Sequence, residues 1–168
     1  MLFFPTYFTN KVTDIKLEIL KKLNINGVLL DIDDTLVKTK LEFPEKEILD
    51  WINLLKSNNI KIILVSNNTK NRVKKFAKNL DIPWIAMSYK PFTFNLKKAI
   101  KKISCNLNNV IMIGDQIFTD IFAANLINIK SVLVNPIGAP KSMLMTIKRK
   151  FEEPIRRKIK SSTKFELC

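Results

Sequence analysis

Three carboxylates stand within four residues near the start of the chain, at Asp31, Asp33 and Asp34. They follow the short apolar segment 27–30, which is typical of a buried strand that ends at a polar site. Acids so close to a buried strand repel each other strongly unless a cation compensates their charge. Because oxygen ligands without histidine favour Mg²⁺ over a transition metal, the pattern predicts a magnesium site at Asp31 and Asp33. We assign Asp34 a structural role, as a cap of the turn.

Other polar side chains follow later apolar segments in the same way. They are Ser66 and Asn67 after segment 61–65, Lys90 shortly after segment 84–87, and Asp115 after segment 110–114. The carboxyl ends of parallel strands meet at one edge of a sheet, so we expect these groups to lie beside Asp31 and Asp33. Asp115 would complete the set of carboxylates around the metal.

An edge of this composition is suited to phosphoryl transfer. Asp31 would attack phosphorus and form a phosphoaspartate, while Asp33 would protonate the leaving oxygen and later activate water. Lys90 and the Ser66–Asn67 segment, which precedes a predicted helix, would hold the phosphate. Simpler interpretations stand beside these: Ser66 as a helix cap, Lys90 as one more surface lysine, and Asp120 as an acid in the first turn of a helix.

The segments between these residues show helical spacing of apolar side chains, whereas the apolar segments themselves show no alternation. Strands buried on both faces that alternate with helices indicate a parallel sheet and an α/β fold class. The predicted strands are 27–30, 61–66, 84–87, 110–114 and 131–134, and the predicted helices are 44–57, about 69–80, about 92–103 and 118–127.

The order and spacing of these groups resemble the four motifs of haloacid-dehalogenase phosphatases over about residues 25–136. Asp31 to Leu36 is similar to motif I, Ser66-Asn67-Asn68 to motif II, Lys90-Pro91 to motif III, and Gly114 to Asp120 to motif IV with its two acids. The resemblance implies a three-layer Rossmann-like fold with Asp31 as nucleophile. It also implies a Mg²⁺ ion held by Asp31, the backbone carbonyl of Asp33, and Asp115. Asp120 would join this metal site by supporting the metal waters or Lys90. Asp34 departs from the asparagine of many relatives.

The gaps between these motifs are short. Residues 36–61 and 69–90 leave no room for a cap domain, and an open site favours phosphate carried on a protein, a nucleic-acid end or a lipid. A closer resemblance, to the YqeG-type subgroup that includes phosphatidylglycerophosphate phosphatases, is carried by the compact length, residues 5–7, Gly114 to Asp120 and residues 134–137. It implies a capless subclass III enzyme that converts phosphatidylglycerophosphate to phosphatidylglycerol.

The chain is strongly basic, with 29 Lys and Arg against 15 acids and a net charge of +14. Such an excess attracts nucleic acid, an anionic membrane or phosphorylated ligands, although the composition of an AT-rich genome explains the lysines equally well. About residues 140–168 form a basic tail with apolar residues at spacings near three and four, a pattern suited to an anionic membrane surface. The same stripe could equally pack on the sheet. Pro154 is expected to break the tail into two segments.

Composition also excludes some classes. The chain has no histidine, which excludes His-based catalysis and argues against a zinc site. Cys105 and Cys168 are far apart in the sequence, and we expect them to be free thiols, which suit a reducing cytoplasm. No apolar segment approaches the roughly 20 residues that are needed to cross a bilayer. We expect one cytoplasmic domain over residues 1–168, able to lie at the inner face of the membrane. Its oligomeric state is left open.

Two other functions remain open at this point. The first is a phosphatase of nucleotides, nucleic-acid ends or phosphoproteins, although the tail offers one aromatic residue and no base-stacking platform. The second is a phosphate-binding scaffold with a vestigial site, for which the pair Asp31 and Asp33 would be unnecessary. Turnover of phosphate esters separates these alternatives.

Overall fold

A six-stranded parallel sheet forms the centre of the computed structural model, which describes residues 2–39, 41–140 and 142–166. The strands are β1 (Tyr7–Thr9), β2 (Gly27–Leu30), β3 (Lys61–Val65), β4 (Trp84–Ile85), β5 (Val110–Gly114) and β6 (Lys130–Val134). Their order across the sheet is β1-β6-β5-β2-β3-β4. The predicted α/β class with a parallel sheet is therefore confirmed.

Helices cover both faces of the sheet. They are α1 (Leu17–Lys22), α2 (Lys46–Ser57), α3 (Lys70–Leu80), α4 (Phe94–Lys102), α5 (Phe122–Leu126) and α6 (Met143–Lys160). Helices α1, α2 and α3 pack against the face that carries Val28 and Leu30, whereas α4 and α5 pack against the face that carries Leu29. Successive side chains of a strand point to opposite faces, so a sheet covered on both sides needs continuously apolar strands.

The centre of the sheet is its topological switch point. Strand β2 pairs with β3 on one side and with β5 on the other. In open α/β sheets, ligands bind outside the carboxyl ends of the strands at such a point. Among the described residues, α2 is the helix between β2 and β3, and α3 is the helix between β3 and β4, so no cap domain covers this edge.

The C-terminal segment is one continuous helix, and the prediction that Pro154 breaks it was wrong. Proline weakens a helix because it lacks an N–H and crowds the preceding turn. Here the residues on both sides of Pro154 are fixed to the protein, since Glu152, Arg156 and Ile159 are all buried. This packing keeps the two halves of α6 in line.

Two further elements differ from the sequence pattern. Strand β1 pairs with β6 at the edge of the sheet, but three half-buried residues are too few to show a period. The predicted helix 118–127 begins as a π-helical turn, Ile117–Ile121, and continues as α5. Among the described residues, no helix is long and apolar enough to span a bilayer. Cys105 is a free thiol, and Cys168 lies outside the described residues.

Candidate active site

Asp31 lies directly after the central strand, at the switch point of the sheet. Its backbone N–H donates to the carbonyl of Ile113 in β5 at 3.0 Å, which extends the pairing of β2 by one residue. The side chain is buried, and its Oδ1 lies 2.7 Å from Nζ of Lys90. The backbone of the sheet therefore holds this carboxylate in a fixed place beside a cation.

Lys90 joins two acids of the site. Its Nζ lies 2.7 Å from Asp31 and 2.6 Å from Oδ1 of Asp120, and it donates to the carbonyl of Val65 at 2.7 Å. Burial alone would lower the pKa of Lys90, but the carboxylates of Asp120 and Asp31 raise it above its ordinary value. The ammonium is therefore charged at neutral pH, and it already contacts three oxygen atoms. A contact between Lys90 and a substrate phosphate would have to exchange one of them.

Asn67 fixes the segment that carries Lys90. Its Oδ1 accepts from the backbone N–H of Lys90 and from the hydroxyl of Ser88, both at 2.7 Å, and its Nδ2 donates to the carbonyl of Lys90 at 3.0 Å. The hydroxyl of buried Ser66 accepts from the N–H of Asn68 at 3.2 Å. Phosphate binding by Ser66 and Asn67 stays a prediction, and for Asn67 it would fall to the backbone because the side chain is engaged.

A group of three buried acids fits a divalent cation. One carboxylate oxygen from each of Asp31, Asp115 and Asp120 lies within 4.8 Å of the others. Oδ2 of Asp115 is buried without a hydrogen bond, and its ion-pair partner Arg149 is 3.7 Å away. Oxygen donors of this kind suit Mg²⁺. A Cβ at Gly114 would collide with the Asp120 carboxylate, so glycine at this position lets Asp120 reach the site.

Burial and mutual repulsion raise the pKa values of two of these acids. Burial raises the pKa of Asp31 to about 7, with Lys90 opposing the rise and Asp120 adding to it. Burial, followed by the charges of Asp120 and Asp31, raises the pKa of Asp115 well above its ordinary value. Four acids, these three and Asp34, face two cations, Lys90 and Arg149, which leaves two negative charges when all are ionised. A divalent cation would balance them.

Asp33 points away from this group of three acids. Its Oδ1 lies 3.0 Å from Nη2 of Arg72 on α3, and its Oδ2 accepts from Nδ2 of Asn68 at 3.0 Å. The side chain is half-buried and lines the same cleft as Asp31. Asp33, held in this way, is suited to exchange a proton with the side of a bound phosphate that faces away from Asp31. The predicted metal contact of Asp33 through its backbone carbonyl stays a prediction.

Arg149 is part of the site and was not among the residues predicted from the sequence. Its Nη2 lies 2.9 Å from Oδ2 of Asp34, which is fully buried, and its Nη1 donates to the carbonyl of Gly138 at 2.6 Å. Oδ1 of Asp34 accepts from the N–H of Thr39 at 3.2 Å, in agreement with a turn cap. Asp34 therefore connects the acid-rich turn to helix α6.

Two more buried side chains of α6 support the carboxyl ends of the strands. Arg156 donates to the carbonyls of Val134 and Asp115 and pairs with Glu152, which in turn accepts from the N–H of Phe118 at 2.9 Å. The spacing of Arg149, Glu152 and Arg156, three and then four residues, is a signal that places them on one helix face. In a chain with 25 lysines among 29 basic residues, the rarity of arginine was a second signal.

The acids open onto a cleft of about 380 Å³ at the edge of the sheet. Its walls are formed by side chains from the strand ends and from the start of α6, namely Asp31, Asp33, Thr39, Ser66, Asn67, Asn68, Gln116, Ser142 and Met145. The predicted residues Asp31, Asp33, Ser66, Lys90, Asp115 and Asp120 thus come together here. The cleft can admit a phosphate group next to Asp31.

The fold and this arrangement of acids define a haloacid-dehalogenase-like hydrolase. Residues 28–90 match the family described as haloacid dehalogenase-like hydrolase, and residues 89–146 match the family described as HAD-hyrolase-like. The chain is also 30% identical over 153 residues to the probable phosphatase YqeG of Bacillus subtilis strain 168, covering 91% of this chain and 89% of that protein. The chain therefore belongs to the haloacid-dehalogenase superfamily of phosphatases.

Solved structures support the fold. The cobalt-bound deoxy-D-mannose-octulosonate 8-phosphate phosphatase of Haemophilus influenzae is 15% identical with a TM-score of 0.54, over 84% of this chain and 91% of that one. An uncharacterized protein of Listeria monocytogenes serotype 4b is 16% identical with a TM-score of 0.54, over 65% of this chain and 78% of that one. At this identity the likeness concerns the fold alone.

Proposed function

We propose that this chain is a Mg²⁺-dependent phosphomonoester hydrolase that forms a phosphoaspartate at Asp31 and acts on phosphatidylglycerophosphate. The observation that carries the chemistry is the position of Asp31. It is buried at the switch point, paired with Lys90, grouped with Asp115 and Asp120, and open to the cleft. A binding protein has no use for a nucleophile placed in this way.

The side chains divide the reaction into two displacements. Asp31 attacks phosphorus while the bond to the leaving oxygen breaks, and Asp33 gives that oxygen a proton. Asp33 then takes a proton from a water molecule that attacks the phosphoaspartate and frees phosphate. Arg72 and Asn68 hold Asp33, and Lys90 aligns Asp31 and favours its ionised form. A bound Mg²⁺ would supply charge stabilisation on the phosphate oxygens.

Three features support a lipid as the substrate. No cap domain covers the described site, so the cleft accepts a phosphate that is attached to a large body. The net charge of +14 attracts anionic surfaces. The likeness to YqeG agrees with the subgroup that the sequence motifs resemble. We propose a capless, subclass III phosphatase, one domain with its core at about 25–136, working in the cytoplasm at the inner face of the membrane.

A substrate panel tests this function. Phosphate release would be measured with Mg²⁺ for phosphatidylglycerophosphate, nucleotides, sugar phosphates and phosphopeptides. We expect phosphatidylglycerophosphate to give the highest kcat/KM, and Asp31→Asn to reduce it by about 10³-fold or more. Asp50→Asn, at an exposed acid on α2, is the matched control and should be unchanged. Full activity of Asp31→Asn would refute the mechanism, and a clear preference for another substrate would refute the lipid assignment alone.

A further inference from the structure

Helix α6 combines buried charged residues with exposed large apolar residues. Its charged residues Arg149, Glu152 and Arg156 face the protein and form ion pairs there. Ile159, near the end of the helix, is buried, but four large apolar residues of its first half are exposed. We call these four, Met143, Leu144, Ile147 and Phe151, the helix patch. Leu144 is 81% exposed and Phe151 is 69% exposed. Contiguous apolar surface of this kind usually marks an interaction site.

The helix patch reaches the mouth of the catalytic cleft. Leu144, Ile147 and Phe151 line a groove of about 560 Å³ together with Phe118, and Gln116 and Met145 line both this groove and the cleft with Asp31. The ring of Phe3 packs edge-on against Phe118 at 5.5 Å and extends the apolar surface. A molecule that fills the groove would therefore touch the rim of the active site.

A second apolar surface lies beside the cleft. Met87, Tyr89, Phe92 and Phe94 are exposed large side chains within eight residues, and we call them the loop patch. The backbone N–H of Met87 donates to the carbonyl of Asn68, a cleft residue, at 3.0 Å. Lys90 lies in the same segment with its side chain in the site. The cleft therefore lies between the helix patch and the loop patch.

The charges around both patches indicate the partner. The loop patch lies in residues 82–114, and the helix patch in residues 121–151. Neither stretch contains an acid. Lys97 and Lys98 follow Phe94 and are exposed, and no carboxylate among the described residues pairs with them. Among the described residues, no carboxylate pairs with Lys150, which adjoins Phe151. Apolar side chains with exposed, unpaired lysines beside them are suited to an anionic bilayer, where the apolar groups enter the interface and the cations contact headgroups.

We propose that the helix patch and the loop patch dock this chain onto an anionic bilayer, with the cleft facing the headgroups. This inference rests on the proposed function at one point, which is that docking would bring a lipid phosphate to Asp31. Among the described residues no helix is suited to crossing a bilayer, so the contact is interfacial. The apolar rims enter the headgroup region, and the site lies at the depth of a terminal phosphate.

Vesicle flotation of the full chain tests the docking. We expect binding to vesicles that contain phosphatidylglycerol, weaker binding to pure phosphatidylcholine, and loss of binding as salt is raised. Leu144→Ser with Phe151→Ser, and separately Phe92→Ser with Phe94→Ser, should weaken binding about tenfold or more, because each pair removes two large side chains from the interface. Leu54→Ser with Leu107→Ser is the matched control, since both leucines are exposed outside the two patches.

Two further measurements make the result decisive. Turnover of a small soluble phosphomonoester should be equal in all these variants, because the substituted residues lie outside the catalytic group. Vesicle binding without hydrolysis of phosphatidylglycerophosphate would support docking and refute the lipid substrate. The docking proposal would be overturned if the wild-type chain did not bind vesicles, or if the patch variants bound them as well as the wild type does. It would also be overturned if the patch substitutions abolished a dimer of this chain and left vesicle binding unchanged.

Discussion

Lys90 is the residue on which the charges of the site depend, since it contacts Asp31 and Asp120 with its side chain almost fully buried. Lys90→Met keeps most of the side-chain volume but leaves both acids uncompensated. We expect a loss of about 3–5 kcal/mol in the free energy of unfolding and a loss of activity of about 10²-fold or more. Urea unfolding and turnover of a soluble ester measure the two effects. Lys98→Met, at an exposed lysine, should change neither.

Stability of the metal-free protein should depend on pH through Asp31. The pKa of Asp31 is raised from 3.8 to about 7 in the folded state, so the folded chain binds this proton more tightly than the unfolded chain. The resulting stability is complete below about pH 4 and is lost as pH rises through about 7. We expect the Tm without metal to fall by several degrees between about pH 5.5 and about pH 7.5, and Mg²⁺ to restore it.

The controls for this pH dependence are direct. Asp31→Asn removes the titrating group and should reduce both the fall in Tm and the response to Mg²⁺. A wild-type Tm that is constant over this range and insensitive to Mg²⁺ would show that the buried acids do not form a cation site.

Single residues of the site were predictable when they end a strand. Asp31, Ser66 and Asp115 could be recognised because each follows an apolar segment, and topology brings such ends together. Arg72 and Arg149 could not be recognised in the same way. They reach the site from helices, so neither residue ends a strand, and only their residue type and helix spacing set them apart from the many lysines.

Helix α6 is the element that completes the site, because Arg149 joins the acid-rich turn and Arg156 joins the ends of β5 and β6. Arg149→Met should cost about 3 kcal/mol in unfolding free energy, since Asp34 is buried and would lose its partner. Adding Asp34→Asn should recover much of this loss. Arg157→Met removes an exposed pair with Glu153 on the same helix and should cost about 0.5 kcal/mol at most.

This set of variants measures the coupling between α6 and the turn. Denaturant unfolding of the two single variants and the double variant gives the interaction free energy of Arg149 and Asp34. Independent effects of the two substitutions would mean that α6 does not support the site through this pair.

Whether a helix or strand could be predicted from the sequence depends on which of its side chains are buried. The central strands have continuous apolar sequences, and α2 and α3 bury one clear face, so their sequence patterns are simple. The sequence of α6 shows a helical period, but it does not show which side chains face the protein, because Glu152 and Arg156 are buried whereas Leu144 and Phe151 are exposed. Strand β1 is too short to show a pattern, and its pairing with β6 depends on contacts more than 120 residues apart.

At the scale of the whole molecule, the excess of positive charge should act on the approach of the substrate more than on the chemical step. We expect kcat/KM for a phosphorylated lipid in vesicles to fall steeply as salt rises from low to physiological concentration, because surface charges are screened. Turnover of a small soluble ester should change much less, since the site itself is buried. Equal salt dependence for both substrates would contradict a role for the basic surface.

Asp31 acts as the nucleophile in the proposed reaction, and trapping the phosphoenzyme is the sharpest test of this role. The protein would be mixed with substrate and Mg²⁺, quenched in acid within the first turnover, and analysed by peptide mass spectrometry. We predict one phosphate on the peptide that contains Asp31 and none in Asp31→Asn. In Asp33→Asn, an ester whose leaving group needs no proton should give an increased amount, because water is no longer activated. A phosphate found on another residue, or fast turnover with no label on Asp31, would contradict the role of Asp31 as nucleophile.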